Sequence, residues 1–391
     1  MRKVCVVVAS RANYGRIKTL LRAVRDHSDL ELILIAGASA VLERYGHALK
    51  QMEQDGFVPD ALVRMIVEGE NPVTMAKSTG MGLLELPTLF ELFDPDIVLT
   101  IADRFETLAT AVSAAYMNIP LAHTQGGEIT GSIDESVRHA ITKFAHVHFP
   151  ATQQSAERVI RLGERPETVF MTGCPSIDIV AETDMGTPDD LVTKPDSRGR
   201  PPLRPIDTDK PPIDPTKPYL LVMQHPVTTE YGLAGDQMLE TLKALQIVGT
   251  QVVFLWPNVD AGSEDIVVAV RHSGIESRPD FVTARNFPPD TYVRILEHAA
   301  VAVGNSSSFL REGAYLGTPV VNVGSRQGGR EHGGNVINVE HDAAKIADAI
   351  RYQFDHGPYP TDPIFGDGTA GKQIAEILSW VDLTVQKRIT Y

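Results

Sequence analysis

The sequence predicts an α/β protein with two domains, each built on a doubly wound parallel sheet. The chain has 391 residues, which exceeds the usual size of a single domain. Short apolar runs alternate with amphipathic stretches, a pattern typical of strands that alternate with helices. After a proline-rich break near the middle of the chain, the same alternation starts again.

The predicted strands of the first half are rich in Val, Ile and Leu and nearly continuous in hydrophobicity, as strands buried on both faces are. They cover residues 3–9, 31–36, 96–101, 120–123, 146–150 and 169–173. The stretches between them carry apolar residues at helical spacing. These predicted helices cover residues 14–25, 41–55, 73–92, 106–117, 133–144 and 153–162.

The second half follows the same pattern. Its predicted strands cover residues 219–224, 252–256, 301–304 and 319–323, and its predicted helices cover residues 291–298, 309–316, 343–354 and 369–385. The break between the halves, residues 188–218, holds 9 of the 26 prolines. It predicts an irregular surface loop without chemistry of its own.

Composition excludes several classes of protein. Charged residues make up 22% and hydrophobic residues 43%, as in ordinary globular proteins. A net charge of -14 argues against a nucleic-acid partner, which needs a basic surface. The longest apolar runs, such as residues 30–42, are too short for a membrane span. Cys5 and Cys174 form no disulfide or zinc pattern, so we expect a reduced, cytoplasmic protein.

Polar residues follow the predicted strands of the first half, at the edge where open parallel sheets bind ligands. Arg11 at the start of the first helix can bind an anion, although an ordinary helix cap by Ser10 or Asn13, with a surface arginine, is the favoured interpretation of this segment alone. Asp103 is either a catalytic carboxylate or the cap of the helix that follows, with equal support. Two such domains facing one another would place a ligand cleft between them.

The segment after the strand at 120–123 adds further candidates. Two adjacent glycines, Gly126 and Gly127, let the backbone approach a ligand closely. Asp103, Glu128 and Asp134 then lie near neighbouring strand ends, where grouped carboxylates can divide acid and base roles.

Each of these residues also has a purely structural interpretation. Asp134 and Arg138 are four residues apart and can form a surface ion pair, and Ser132–Glu135 fits a capping box. His146 and His148 alternate along one strand, but no spacing supplies further ligands, so we expect buried structural histidines and no metal site.

The second half contains the strongest local signal. Gly304–Ser308 leads from a strand into a helix, and its N–H groups and hydroxyls can bind a pyrophosphate. Glu312 could then accept hydrogen bonds from ribose hydroxyls, although a plain serine cap remains the alternative. His225 follows the first strand of this half, where it can contact phosphate or act as an acid.

Taken together, these motifs resemble the hydrolysing UDP-N-acetylglucosamine 2-epimerases of sialic-acid-type sugar synthesis. The resemblance spans nearly the whole chain. The matching blocks are Ser10–Tyr14, Asp103–Phe105, Gly126–Glu128, Gly131–Lys143, Gly173–Ser176, Gln224–Thr229, Pro257–Ser263, Gly304–Ser307 and Gly317–Val320.

The resemblance implies a fold of two Rossmann-like domains of the GT-B type, with no metal or NAD cofactor. It also implies the reaction: removal of the C2 proton with loss of UDP from C1, then addition of water to the glycal. Asp103 and Asp134 match catalytic carboxylates, and we add Glu128, Gln125 and His225 to the candidate catalytic set. The predicted substrate-binding positions are Arg11, Arg104, Arg138, Asn258, Phe287, Ser306, Ser307, Glu312 and Arg326.

Gln125 departs from this family, because characterised members have a catalytic glutamate at the corresponding position. An amide cannot accept the C2 proton, so Asp103, Asp134 or Glu128 must do so, or the reaction differs. A nucleotide-linked diacetamido sugar of the bacillosamine type is an alternative substrate. A GT-B glycosyltransferase and a sugar-nucleotide binder without turnover are the competing classes.

We expect a first domain at residues 1–175, which carries the carboxylates, and a UDP-binding domain at residues 176–372. Residues 373–391 are expected to form a helix that crosses back to the first domain. The expected partners are a nucleotide sugar and further copies of the chain, in a homodimer or homotetramer, with no membrane and no nucleic acid.

Overall fold

The computed structural model describes residues 1–42, 48–69, 71–197, 199, 201–203, 213–258 and 260–390. The chain forms two compact units. Unit 1 comprises Met1–Ile129, Ile133–Ala181 and Phe365–Tyr391, and unit 2 comprises Thr130–Ser132 and Glu182–Ile364. Among the described residues, no helix is long and apolar enough to cross a membrane.

Each unit contains one six-stranded parallel sheet. The strands are β1 (Arg2–Val8), β2 (Leu30–Gly37), β3 (Ala61–Val63), β4 (Ile97–Ile101), β5 (Leu121–Thr124), β6 (Val147–Phe149), β7 (Tyr219–Met223), β8 (Gln251–Leu255), β9 (Phe281–Ala284), β10 (Val301–Gly304), β11 (Val320–Val323) and β12 (Val336–Val339). The strand order is β3-β2-β1-β4-β5-β6 in unit 1 and β12-β11-β10-β7-β8-β9 in unit 2. Read from its own first strand, each sheet therefore has the same topology.

Helices connect most of the strands. They are α1 (Arg11–Arg25), α2 (Ala48–Gln54), α3 (Pro72–Phe93), α4 (Phe105–Tyr116), α5 (Asp134–Phe144), α6 (Gln153–Arg161), α7 (Pro175–Glu182), α8 (Asp190–Thr193), α9 (Ala234–Val248), α10 (Ser263–His272), α11 (Pro289–Glu297), α12 (Ser307–Leu316), α13 (Ala343–His356) and α14 (Ala370–Trp380).

The strands are nearly continuous in hydrophobicity because both faces of each sheet are covered. In β1, Val4, Val6 and Val8 belong to one hydrophobic core, whereas Cys5 and Val7 belong to the core on the opposite face. Alternate side chains of a strand point to opposite faces, so an unbroken apolar run serves two cores. This confirms the predicted α/β fold of two doubly wound sheets.

Unit 2 also has two cores, and the proline-rich break contributes to one of them. Leu220 lies in one core and Tyr219 in the other. Leu191, Leu203 and Ile213 are fully or almost fully buried with Tyr219. The prediction of a mere surface loop at residues 188–218 was therefore wrong for these positions, because their apolar side chains cover the sheet.

The last helix packs in unit 1. Ile374 of α14 is fully buried in the same core as β1 and α1. The buried Asp178 carboxylate accepts hydrogen bonds from the backbone N–H groups of Ala370 (2.9 Å) and Gly371 (2.7 Å) and from the Thr19 hydroxyl (3.0 Å). A carboxylate at a helix N-terminus satisfies free N–H groups and favours the helix dipole, so Asp178 fixes the start of α14.

Several predicted elements differ from the structure. The strand predicted at 169–173 was wrong, because only an isolated bridge joins Val169 to His148. The helix predicted at 369–385 ends at Trp380. Strands β3, β9 and β12, which have three or four residues, were not predicted from the sequence, and neither were α7 to α10. Residues 43–47 of the helix predicted at 41–55, and 198, 200 and 204–212 of the predicted loop, lie outside the described residues.

Candidate active site

The strand order of unit 1 reverses between β1 and β4, and ligands bind at such a point in open α/β sheets. Arg11 follows β1 as the first residue of α1, and Asp103 follows β4. The Ser10 hydroxyl accepts a hydrogen bond from the Asn13 N–H group (3.1 Å), so the predicted serine cap is confirmed. A serine cap satisfies only one N–H group of a helix terminus, so the cap and an anion-binding role for Arg11 are compatible interpretations.

Asp103 forms a buried ion pair with Arg138. The Arg138 side chain is fully buried, and its Nη2 atom donates to Asp103 Oδ2 while its Nη1 atom donates to the Glu128 carbonyl oxygen (2.7 Å). Removing one member of a buried ion pair typically costs about 3–5 kcal/mol, because the other charge stays buried. The guanidinium therefore holds Asp103 and the Glu128 backbone together at the ends of β4 and β5.

This arrangement decides between several predicted alternatives. Asp103 does not cap α4, because Arg104 occupies the N-cap position and makes no side-chain capping bond. Arg138 is buried, so the surface ion pair predicted for it was wrong. The capping box at residues 132–135 was also wrong, since α5 begins at Asp134 after Ile133 and has no side-chain cap. Asp134 itself is half-buried.

Gln125 and Glu128 follow β5 and are almost completely buried. Gln125 Nε2 donates to Cys174 Sγ at 2.9 Å, and Arg16 Nη1 approaches Gln125 Oε1 at 3.5 Å. The Gln125 amide is thus oriented by neighbours on both sides. Cys174 Sγ also lies 3.1 Å from Ser176 Oγ, which places Gly173–Ser176, a segment of the predicted family blocks, beside this strand end.

Three residues at this edge of the sheet have a left-handed backbone conformation although they are not glycines. They are Ala38 after β2 (φ 50°), Ala102 after β4 (φ 59°) and Gln125 after β5 (φ 61°). Such residues cost on the order of 1–3 kcal/mol each and concentrate at functional sites. These three residues lie at the edge that carries Arg11 and Asp103, whereas the left-handed Asp94 and Asn118 precede β4 and β5 at the opposite edge.

Arg104 is oriented by a second buried carboxylate. Its Nε atom lies 3.0 Å and 3.2 Å from the two carboxylate oxygens of Glu106, whose side chain is fully buried in α4. Arg104 was predicted as a binding residue, but its partner Glu106 was not. The missed signal was a charged residue in the first turn of an otherwise apolar helix.

In unit 2 the strand order reverses between β7 and β10, and His225 and Asn305 follow these strands. Asn305 is fully buried. Its Oδ1 atom accepts a hydrogen bond from the His225 N–H group (2.7 Å), and its Nδ2 atom donates to the His225 carbonyl oxygen (2.8 Å). The Asn258 N–H group donates to His225 Nδ1 at 3.3 Å, which leaves the hydrogen of a neutral ring on Nε2.

The carbonyl oxygen of Asn305 organises a further pair of side chains. Arg326 Nη1 (3.1 Å) and Gln327 Nε2 (2.7 Å) both donate to it. Asn305 thus orients the predicted residues His225 and Arg326 together. The local pattern predicts Asn305 only as part of Gly304–Ser308. Its role as an orienting residue and that of Gln327 were not predicted, because the partners are distant in sequence.

The Gly304–Ser308 segment begins α12 as predicted. Ser306 is the N-cap, and its hydroxyl lies 3.4 Å from the Ser308 N–H group and 2.8 Å from the Ser308 hydroxyl. Ser307 is the first helical residue, and Glu312 is buried further along α12. Phe287 packs in a hydrophobic core of unit 2, so its predicted contact with substrate stays a prediction.

The two strand histidines have structural partners. His148 is fully buried, and its Nε2 atom lies 3.1 Å from Glu164 Oε2. His146 is half-buried, and its Nε2 atom lies 2.8 Å from the Val385 carbonyl oxygen. Across the described ranges, no three His, Cys, Asp or Glu side chains are grouped closely enough to hold a metal ion.

Two parallel sheets of this topology, one in each unit, define an α/β protein with two Rossmann-like domains of the GT-B type. A solved structure from Neisseria meningitidis, UDP-GlcNAc 2-epimerase bound to UDP-GlcNAc, has a similar fold. It matches with a TM-score of 0.76 at 16% identity, covering 96% of this chain and 99% of that chain.

The chain belongs to the UDP-N-acetylglucosamine 2-epimerase family, whose model matches residues 22–379. A UDP-N,N'-diacetylbacillosamine 2-epimerase (hydrolyzing) of Legionella pneumophila is 31% identical over 386 residues, which cover 99% of this chain and 98% of the relative. A UDP-N-acetylglucosamine 2-epimerase of Neisseria meningitidis is 28% identical over 396 residues, with the same coverage of 99% and 98%. The predicted family membership is therefore confirmed.

Proposed function

We propose that the protein is a hydrolysing 2-epimerase that converts UDP-N-acetylglucosamine, or a closely related acetamido sugar nucleotide, into UDP and a free N-acetylmannosamine-type sugar. The observation that carries this proposal is the buried Asp103–Arg138 pair at the switch point of unit 1, with Glu128 beside it. The chain's family and its full-length similarity to epimerases support the same reaction.

In the first step, a carboxylate accepts the C2 proton while the bond from C1 to the UDP oxygen breaks, which gives a glycal and UDP. The C2–H group is weakly acidic, so the base must be positioned accurately. Asp103 is the proposed base, because Arg138 fixes its orientation. Asp134 and Glu128 are the further carboxylates proposed to act at this edge.

In the second step, water adds to the glycal. Its hydroxyl group bonds to C1 and a proton returns to C2 on the opposite face, so the free sugar has inverted configuration at C2. A protonated carboxylate is the proposed proton donor, and the carboxylates thus exchange acid and base roles between the two steps. Gln125 is proposed to orient the sugar, since its amide cannot accept the C2 proton.

The leaving diphosphate needs positive charge and N–H donors. We propose that Arg11 with the N-terminus of α1, Arg104, Arg326 and His225 supply them. Ser306 and Ser307 at the N-terminus of α12 are proposed to bind the nucleotide with Asn258 and Glu312. No metal and no nicotinamide cofactor is proposed.

A second substrate has specific support. The Legionella pneumophila relative, which this chain matches over 98% of the relative's length, is named for UDP-N,N'-diacetylbacillosamine. We therefore propose the diacetamido sugar nucleotide as the alternative substrate of the same reaction. The two candidates differ at C4 and C6 of the sugar and share the C1 and C2 chemistry.

Proton NMR of each sugar nucleotide incubated with the protein in deuterated water tests the proposal. We expect one equivalent of UDP per free sugar, with deuterium at C2 of the product. Release of UDP without deuterium at C2 would contradict the elimination mechanism. Transfer of the sugar to an added acceptor would instead indicate a glycosyltransferase, and binding of both nucleotides without UDP release would indicate a binding protein.

Two further expectations stay predictions. We propose a homodimer or homotetramer and a cytoplasmic location. Light scattering of the purified protein measures the oligomeric state, and a monomer at micromolar concentration would contradict the proposed homodimer or homotetramer.

A further inference from the structure

His123 lies in the middle of the strained edge, in β5, and is fully buried. Its Nε2 atom lies 2.7 Å from the carbonyl oxygen of Ala102. Ala102 is the left-handed residue directly before Asp103. The histidine therefore holds the peptide unit that leads into the Asp103 backbone.

The other ring nitrogen leads to the ion partner of Asp103. His123 Nδ1 lies 3.2 Å from the Thr142 hydroxyl oxygen, which itself lies 3.0 Å from the Arg138 carbonyl oxygen. Thr142 and Arg138 are one turn apart in α5. His123 thus contacts both elements that determine where the Asp103 carboxylate lies: its own backbone and the helix that carries Arg138.

The protonation state follows from the partners. A carbonyl oxygen only accepts, so the ring hydrogen is on Nε2 and Nδ1 is an acceptor. The Thr142 hydroxyl has one hydrogen and faces two acceptors, Nδ1 and the Arg138 carbonyl oxygen, so it lies between the ring and the Arg138 backbone. Burial lowers the pKa of His123 to about 3, against the opposing effect of the hydrogen bond to Ala102. The ring is therefore neutral at physiological pH and contributes geometry rather than charge.

Gly126 leaves room for this arrangement. A Cβ atom at Gly126 would lie 3.1 Å from His123 Nδ1 and 3.1 Å from the Thr142 hydroxyl oxygen. A side chain there would press on both partners at once. The first of the two adjacent glycines after β5 is thus explained by the histidine as well as by access for a ligand.

We propose that His123 is a positioning residue for the proton abstraction at C2, acting through Asp103. This inference rests on the proposed epimerase function. His123 fixes the strained Ala102 turn through Nε2 and the Arg138 helix through Nδ1, so the carboxylate and its counter-ion keep one relative geometry.

Two substitutions, one that keeps the hydrogen bond made by Nε2 and one that removes the hydrogen bonds of both ring nitrogens, test this role. The glutamine in His123→Gln places an amide N–H near the position of Nε2 and can still donate to Ala102, whereas His123→Phe keeps the ring volume and loses both bonds. We expect His123→Phe to lower kcat for UDP release by on the order of 100-fold, and His123→Gln to stay within about tenfold. The dissociation constant for UDP should change less than about twofold in both, because His123 acts on the carboxylate.

His148 provides a matched control, because it pairs with His123 in register on β6 and is equally buried. Its ring bonds Glu164 and has no contact with Asp103 or Ala102 among the described bonds. We expect His148→Phe to lower the melting temperature and leave kcat unchanged. Equal losses of kcat in His148→Phe and His123→Phe would reduce His123 to a purely structural residue and overturn the proposal.

A spectroscopic measurement separates this inference from the proposed function. Nitrogen-15 NMR of histidine-labelled protein, with His123→Gln used for assignment, should show a neutral ring with the hydrogen on Nε2 at pH 7. A charged ring or a hydrogen on Nδ1 would overturn the inference even in an active enzyme. If the ring has the expected state but the wild-type protein releases no UDP, both the epimerase function and the positioning role are contradicted. Only the hydrogen bonds of His123 would then remain established.

Discussion

The two units share one sheet topology but differ in the chemistry at its switch point. In unit 1 the residues after the two central strands are Arg11 and Asp103, and the neighbouring contacts are ionic. In unit 2 the equivalent strands are followed by His225 and Asn305, which are joined by neutral hydrogen bonds between a side-chain amide and a backbone. The switch point of unit 1, the charged edge, thus holds a buried ion pair, whereas in unit 2 a buried asparagine orients a histidine and an arginine.

The backbone differs in the same way. β4 is followed by Ala102 at φ 59°, a backbone conformation that is energetically unfavourable for alanine. β10 instead ends at Gly304, where glycine adopts φ 132° without this penalty. The His123 ring and the Thr124 carbonyl oxygen hold Ala102 in unit 1. In unit 2, glycine avoids the strain and lets two strands approach closely. Among the described residues, non-glycine residues with a left-handed backbone therefore occur only in the unit with the proposed catalytic carboxylates.

The largest expected effect is on the charged edge of unit 1. Asp103→Asn should lower kcat for UDP release by about 10²–10⁴-fold, because an amide cannot accept the C2 proton. Binding of UDP should change less than about threefold, since Asp103 is not among the residues proposed to bind the nucleotide.

Asp26→Asn is a suitable control for this substitution, because Asp26 is an exposed carboxylate of unit 1 paired only with its neighbour Arg25 among the described contacts. Thermal unfolding should be followed in parallel, since Asp103→Asn also leaves the Arg138 charge without its counter-ion. Normal turnover by Asp103→Asn would show that another carboxylate removes the proton.

The contrast between Ala102 and Gly304 gives the next largest effect. In Gly304→Ala the new Cβ atom would lie 2.2 Å from the Met223 carbonyl oxygen, so β7 and β10 must separate. We expect a loss of about 2–4 kcal/mol in the free energy of unfolding, measured with denaturant, together with weaker UDP binding.

The reciprocal substitution Ala102→Gly sharpens the comparison. Glycine relieves the left-handed strain but adds conformational freedom to the unfolded chain. The free energy of unfolding should therefore change by no more than about 1 kcal/mol. If Ala102→Gly destabilised the protein as much as Gly304→Ala, the difference in strain between the units would not hold.

The smallest effect is expected at Gln125. Gln125→Glu restores a carboxylate beside Arg16 and removes the amide donor to Cys174. Turnover should be unchanged or raised by up to about tenfold, because a fourth carboxylate can share the proton transfers. Measurement of initial rates of UDP release tests this. A loss of more than about tenfold would indicate that the amide itself contacts the sugar.

The comparison of units also shows what local sequence patterns can predict. The strands around Asp103 and His225 were placed within one or two residues, because long apolar runs between helical stretches are an unambiguous signal. Short edge strands such as β3 and β12 were missed, since three or four residues carry too little pattern. The buried positions in the proline-rich break were missed because proline content indicates irregular backbone and says nothing about burial.

The sequence by itself determined the alternation of elements, the family and the positions of the chemistry-bearing residues at strand ends. These are local properties, fixed by the spacing of apolar residues and by motifs of a few residues. Tertiary structure decided which of those residues meet. Arg138 pairs with Asp103 across 35 positions, and Asn305 binds His225 across 80. Such contacts depend on the order of strands within each sheet, which brings the ends of β4 and β5, or of β7 and β10, side by side without any trace in the local sequence.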